Sequence, residues 1–358
     1  MTLIEFDSRL GRVRRLLARL DHWHVDSEPR AEDTGTKEWQ HFCVFTREVD
    51  LLINFSLMDG VQTGSDPAAR VGRVAVLARH RGRFGGGVER IGAGDLEVRA
   101  GNLAGRFAGS RLSFSDGRYR VRIELAECGI AADLEFEPRV TPAITDSQPL
   151  GPHGSMRWLV VPRLSAKGVV RIGESLIQVA GAPAYHDHDW GVFRWGAGFS
   201  WNWAVALPDD DTNPWVMAAT QIGDAGRASR FANSFLLWRR DRLHRAIRGP
   251  GIMTRERGQL RPERAPFRIP AIMNLACPGS DVDVPARYEV RAEERGDVVE
   301  LAIDLDDYAQ IAIPNDGGDR GTTLLSECCG RATAHGRVRG DRVELSGPAL
   351  LELVHVRA

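Results

Sequence analysis

Apolar and charged positions alternate along much of the chain. Tyr119, Val121, Ile123 and Leu125 interleave with Arg118, Arg120, Arg122 and Glu124. That period of two is the signature of a half-buried strand with a charged outer face. Asp116-Gly117 precedes it as a hairpin turn, with Leu112 and Phe114 on the partner strand. Leu134 and Phe136 then alternate with Asp133, Glu135 and Glu137. The same style returns later. Tyr288, Val290 and Ala292 alternate with Glu289, Arg291 and Glu293; Arg295-Gly296-Asp297 turns; Val299, Leu301, Ile303 and Leu305 follow. Further strand character lies at Val44 to Ser56, broken by Thr46-Arg47-Glu48, at Trp158 to Val161, at Gly168 to Val179 and at Trp215 to Ile222. Asp59-Gly60, Pro208 to Asp211 and Gly340-Asp341 read as turns, the last leading into a closing strand from Arg342 to Val356. No helix-length apolar repeat separates the strands, which argues against a parallel α/β sheet.

One helix is expected. Leu10, Val13, Leu17 and Leu20 recur at spacings of three and four over residues 8–20, behind Asp7 or Ser8 as caps. Arg9, Arg12, Arg14, Arg15 and Arg19 make its other positions basic. A membrane-surface helix would carry this charge, but its shortness and lack of aromatics favour packing over a barrel end. Residues 82–94, with Gly85-Gly86-Gly87, are expected to form a flexible connection, since neither a following helix nor a Gly-Lys-Ser/Thr run makes them a phosphate loop. Residues 138–156 and the Pro- and Arg-rich residues 247–270 read as loops.

The 358 residues suit about two domains on a prior of roughly 150 residues each. A net charge of -1 gives no global argument for nucleic acid or anionic membrane as a partner. Five cysteines without a C-x-x-C pair, two of them adjacent at Cys328-Cys329, read as reduced thiols and a cytoplasmic setting. The acids in Met1 to Asp7 stand where a signal peptide would be basic, and no apolar run nears the roughly 20 residues of a membrane span. At most a peripheral membrane contact is expected.

The chemistry concentrates past the middle, in Tyr185-His186-Asp187-His188-Asp189-Trp190-Gly191 and in Ser200-Trp201-Asn202-Trp203. Aspartate is a poor strand former, so this run breaks its local propensity, as functional sites often do. In an extended chain His186, His188 and Trp190 share one face, and Tyr185, Asp187 and Asp189 the other. Likewise Trp201 and Trp203 oppose Asn202. Two imidazoles at this spacing suit zinc or iron, but a third ligand would have to come from His41, Glu38 or Asp189, and a metal-free, cofactor-free site is expected. A Gly-x-Ser-x-Gly elbow, a Rossmann fingerprint and a P-loop are all missing from the sequence. Acid catalysis on an apolar substrate fits better. A shielded carboxylic acid, Asp187 or Asp189, could protonate an alkene. Aromatic faces at Tyr185, Trp190, Trp195, Trp201 and Trp203 could steady the cation, and His186 or His188 could activate water. A purely structural, hydrogen-bonded junction would use the same residues.

These motifs carry a resemblance. Tyr-His-Asp-His-Asp-Trp-Gly, followed by Trp-Asn-Trp-Ala-Val-Ala-Leu-Pro-Asp-Asp, resembles the carotenoid 1,2-hydratase (hydroxyneurosporene synthase) family and its AttH-like relatives. Lys37-Glu38-Trp39-Gln40-His41-Phe42 resembles that family's opening Glu-Trp-Trp-Tyr strand, with Gln40 and His41 departing from it. Gly347 to Leu353 resembles its closing Gly-x-Gly-Tyr-x-Glu segment, with Ala349 and Leu350 departing. The resemblance implies an all-β chain of two consecutive lipocalin-like antiparallel barrels behind a short helix, residues 1–195 and 196–358. It implies cofactor-independent addition of water to a carbon–carbon double bond of a lipophilic, isoprenoid-like substrate, with an aspartic acid as proton donor. Trp39 and Glu352 enter as substrate-binding candidates through the two flanking matches. The alternatives are acid-driven ring closure, a pericyclase-like role that shapes a polyene, and a lipocalin-like carrier of a lipophilic ligand.

Overall fold

The computed structural model describes residues 3–26, 35–59, 70–151, 154–261, 265–272, 282–316 and 321–357. Contacts divide the chain into two compact units, residues 1–147 with 156–193, and residues 148–155 with 194–358. Both are lipocalin-like β structures, antiparallel apart from one three-residue parallel pair in the second, and one helix, α1 (Leu3–Leu20), precedes them. The fold class is the one the alternation predicts.

The first unit runs β1 (Thr36–Phe45), β2 (Val49–Asp59), β3 (Arg70–His80), β4 (Arg83–Ile91), β5 (Leu96–Val98), β6 (Ala104–Phe107), β7 (Ser110–Ser115), β8 (Arg118–Leu125), β9 (Ile130–Pro138) and the short β10 (Ala143–Ile144), then, after the short β11 (Gln148–Leu150) that falls to the second unit, β12 (Gly154–Ile172) and β13 (Ser175–Val192). The sheet order is β4-β3-β2-β1-β13-β12-β9-β8-β7-β6-β5. One long-range pairing, β1 on β13, therefore joins an N-terminal meander to a C-terminal one. The inner face is a single apolar core built from alternate residues such as Phe42, Val44, Phe55, Val121, Ile123, Phe136, Leu159 and Ala184. Val13 and Leu17 of α1 bury into it, while Arg14 reaches Glu137 at 2.9 Å. The helix starts earlier than its apolar repeat predicts, at Leu3.

The second unit runs β14 (Phe199–Ala206), β15 (Trp215–Asp224), β16 (Arg230–Arg239), β17 (Arg242–Arg248), β18 (Ile252–Arg257), β19 (Phe267–Ile269), β20 (Arg287–Glu294), β21 (Asp297–Pro314), β22 (Thr322–Val338) and β23 (Asp341–Arg357). Its order is β17-β16-β15-β14-β23-β22-β21-β20-β18, again closed in sequence by one long-range pair, β14 on β23.

Three loop expectations are corrected. Residues 82–94 hold strand β4, with Gly85, Gly86 and Gly87 paired to Ala78, Leu77 and Val76. Ladder bonds use only the backbone, so side-chain periodicity carries no sign of this strand. A Cβ on Gly86 would sit 2.1 Å from the Val76 carbonyl oxygen, so close approach requires the glycine. Residues 247–270 hold β18 and β19. β18 escapes the pattern because its inward positions Thr254 and Glu256, opposite Val290 and Tyr288, are polar. Residues 138–156 carry the short β10 and β11 and the start of β12. Of the expected turns, Gly60 lies outside the described residues, and so does Cys277; among the described residues Cys43, Cys128, Cys328 and Cys329 form no disulfide. Among the described residues no helix is long and apolar enough to cross a membrane.

Candidate functional site

The β1/β13 register sets the site. His41 pairs with Asp187, Trp39 with Asp189, Phe42 with His186, Gln40 with His188 and Glu38 with Trp190. Side chains alternate across the sheet, so two separate constellations form on its two faces.

The inner face carries His186 and His188, both fully buried. They converge on Asp21, in the segment that follows α1. His186 Nε2 lies 2.9 Å from Asp21 Oδ2, and His188 Nδ1 lies 3.0 Å from Oδ1. The Tyr119 hydroxyl donates to Oδ2 at 2.6 Å, and the Gln40 amide to Oδ1 at 3.4 Å. The other His186 nitrogen meets the His41 carbonyl at 2.9 Å. The other His188 nitrogen meets Glu38 Oε1 at 2.7 Å. Glu38 also accepts from the backbone of His24 and Val25 and contacts His24 Nδ1 at 2.9 Å. Burial alone would pull the His188 pKa down, yet its bonds to Asp21 and Glu38 outweigh this and lift it to about 9. Burial would raise both carboxyls, but His186 and His188 hold Asp21 far below the usual range, and His188 and His24 hold Glu38 below it. Trp190 stacks on His24 at 4.2 Å.

The opposite face carries Tyr185, Asp187, Asp189, Trp39, His41 and Cys43, joined by Trp158 from β12. Asp187 is 3% exposed. Its Oδ2 accepts from the Tyr185 hydroxyl at 2.8 Å and the Trp158 indole at 3.2 Å. Its Oδ1 is buried and accepts no hydrogen bond among the described residues. His41 Nδ1 stands 3.9 Å from that oxygen, and Cys43 Sγ lies 3.4 Å from His41 Nε2. Burial drives the Tyr185 pKa well above 10, with Asp187 adding to it, so the phenol keeps its proton. Burial also lowers the His41 pKa, more than Asp187 restores, and leaves that ring neutral at pH 7.

The motif's four candidate catalytic residues are therefore split. Asp187 and Asp189 share a face with Tyr185 and Trp39. His186, His188 and Trp190 face the barrel core and cannot meet a substrate that touches Asp187. His41 is the histidine at the carboxyl. His186 and His188 do not form a chelating pair either; both turn to Asp21. Trp195, Trp201, Trp203 and Glu352 belong to the second unit. There Trp201 and Phe199 stack, Trp195 packs 5.6 Å from Trp201, and the Trp201 indole donates to Glu352. Asn202 points into the second barrel, towards Arg227, Glu256 and Tyr288.

Three contributors escape the sequence reading. Asp21 sits alone beyond the helix, in Asp21-His22-Trp23-His24, where alternating polar residues around a tryptophan are the only signal. Trp158 reads simply as strand. Tyr119 reads as core.

No protein-family model matches the chain, and no curated protein matches its sequence. Solved structures do. An AttH protein of Nitrosomonas europaea superposes with a TM-score of 0.62 at 15% identity, covering 94% of this chain and 98% of the other. The fold is AttH-like. CghA, solved with Sch210972, gives 0.60 at 13% identity over 89% of this chain and 88% of its own. Kievitone hydratase from Nectria haematococca gives 0.52 at 13% identity over 94% of both. These AttH-like neighbours bear out the fold expected from the motif, over nearly the whole chain.

Proposed function

We propose that the chain is an acid catalyst that protonates a carbon–carbon double bond of a lipophilic, isoprenoid-like substrate, with Asp187 as the proton donor and water as the second reactant. The observation that carries this reading is the asymmetry of the Asp187 carboxyl. A neutral carboxylic acid has one carbonyl oxygen that accepts and one hydroxyl that donates. Oδ2 already accepts twice, from Tyr185 and Trp158, and Oδ1 is left bare and shielded. The proton belongs on Oδ1. Tyr185 stays a donor throughout, because its own proton is held tightly.

The atoms balance without a cofactor. The alkene π pair takes the Oδ1 proton to form a C–H bond and leaves a carbocation beside the new carboxylate. Aromatic faces steady that cation; Trp39, Tyr185 and Trp158 are the rings on this face. Water adds to the cation. Its surplus proton passes to neutral His41, 3.9 Å from Oδ1, and from there back to Asp187. Asp189, opposite Trp39, is the second carboxyl of the face. The likeness to kievitone hydratase, a protein named for hydration, supports the reaction class; the specific alkene is part of the proposal.

The test is Asp187→Asn with an isoprenoid polyene. Asparagine keeps the shape and its side-chain oxygen can still accept from Tyr185 and Trp158, but the acid is gone. Turnover is expected to fall at least about 100-fold, the typical worth of a general acid, with ligand binding retained. Unchanged turnover would favour a pocket that cyclises a polyene by shape alone. Binding without any turnover in the wild type would favour a carrier.

A further inference from the structure

We propose that His24, Glu38 and His188 form a binding site for a divalent transition metal of the zinc class, on the inner face of the first barrel and distinct from the Asp187 face. Nδ1 of His24, Oε1 of Glu38 and Nε2 of His188 lie within 4.8 Å of one another. Two imidazoles and one carboxylate are the donor set of open zinc sites, which keep a fourth position for water. Imidazoles select zinc, cobalt or nickel over calcium or magnesium.

The surroundings hold each ligand in place. Glu38 is anchored through both oxygens by the backbone N–H groups of His24 and Val25, at 2.9 to 3.2 Å. Trp190 stacks flat on the His24 ring at 4.2 Å. The far nitrogen of His188 meets Asp21 Oδ1 at 3.0 Å, the carboxylate–histidine arrangement that orients and strengthens metal-bound imidazoles. His24 keeps 30% of its side chain exposed, which gives an ion a way in, while Glu38 and His188 are fully covered. Oε1 stands 2.9 Å from the His24 nitrogen and 2.7 Å from the His188 nitrogen. Tetrahedral zinc with bonds of about 2.0–2.1 Å separates its ligands by about 3.3 Å. The ion therefore takes the place of two hydrogen-bond protons, and both separations widen by about half an ångström, with His24 giving way at the open side and the Glu38 carboxylate drawing back from His188.

The experiment uses the untagged full-length chain, stripped of metal and titrated with zinc against a chromophoric chelator, and separately with cobalt followed by its visible absorption. One ion per chain and a tetrahedral cobalt spectrum are expected. His24→Ala, at an exposed position that leaves the core intact, is expected to weaken zinc at least tenfold with an unchanged far-ultraviolet spectrum. Glu38→Gln is expected to do the same with its fold checked in parallel. Less than half an ion per chain in the wild type, or equal affinity in His24→Ala, would overturn the assignment.

Discussion

At the scale of single residues, one carboxyl differs from its neighbours in what its oxygens meet. Asp21 is bonded on both oxygens and Glu38 on both, whereas Asp187 keeps Oδ1 bare. Tyr185→Phe and Trp158→Phe each remove one donor from Oδ2 and are expected to lower turnover about tenfold each, a smaller loss than Asp187→Asn, in steady-state kinetics. The inner-face groups predict a pH profile of stability. His188, lifted from 6.5 to about 9 in the fold, contributes fully below pH 6.5, and that contribution drains away as pH rises to about 9. The shift corresponds to about 3 kcal/mol. Asp21 and Glu38, both depressed, contribute above their ordinary values of 3.8 and 4.5 and lose that contribution as pH falls below them. Denaturant unfolding of the metal-stripped chain, followed against pH, is expected to show a maximum between about pH 4.5 and 6.5 and a decline through pH 9. A profile flat from pH 6 to 9 would contradict the buried His188 ion pairs. The two-faced order of Tyr185 to Trp190 is legible in sequence because strand alternation is geometry. The partner of each face is not, since Asp21 lies 165 residues from His186 along the chain.

At the scale of elements, β1 and β13 are central strands held by a polar inner face as well as by their ladder. Asp21→Asn leaves His188 and His186 facing a neutral amide in the core. Breaking a buried ion pair from one side costs about 3–5 kcal/mol, and the thermal midpoint is expected to drop accordingly. β12 depends on Gly168, whose φ is +136 and whose Cβ would lie 2.0 Å from the Asp133 carbonyl oxygen. Gly168→Ala is expected to destabilise by about 1–3 kcal/mol in equilibrium unfolding. The sequence reading breaks the strand before Gly168, inside β12, and runs its second stretch, Gly168 to Val179, across the Gly173-Glu174 turn that separates β12 from β13. Sequence patterning found the strands with apolar inward faces, such as β8 and β20. It missed β4, where glycines erase the period, and β18, where the inward residues are polar.

At the scale of the whole molecule, two AttH-like lipocalin units follow one another, each with its own apolar core. The architecture was legible because meanders recur on both sides of the motif. The proposed substrate class has no such signature in the residue pattern, because a lipophilic ligand would leave no charge pattern for a sequence to show. Asp187 and the proposed cation site lie on opposite faces of the β1/β13 pair. Chelation is therefore expected to leave turnover within about twofold while lowering thermal stability, as loss of any native-state ligand does. The central claim is that Asp187 hands a proton to a carbon atom. Single-turnover reaction of an isoprenoid polyene in deuterated water, with mass analysis of the product, tests it most directly. The account predicts one deuterium on carbon in the hydrated product of the wild type, and at least a 100-fold slower appearance of that product in Asp187→Asn with binding intact. Deuterium incorporation at the wild-type rate in Asp187→Asn would contradict it.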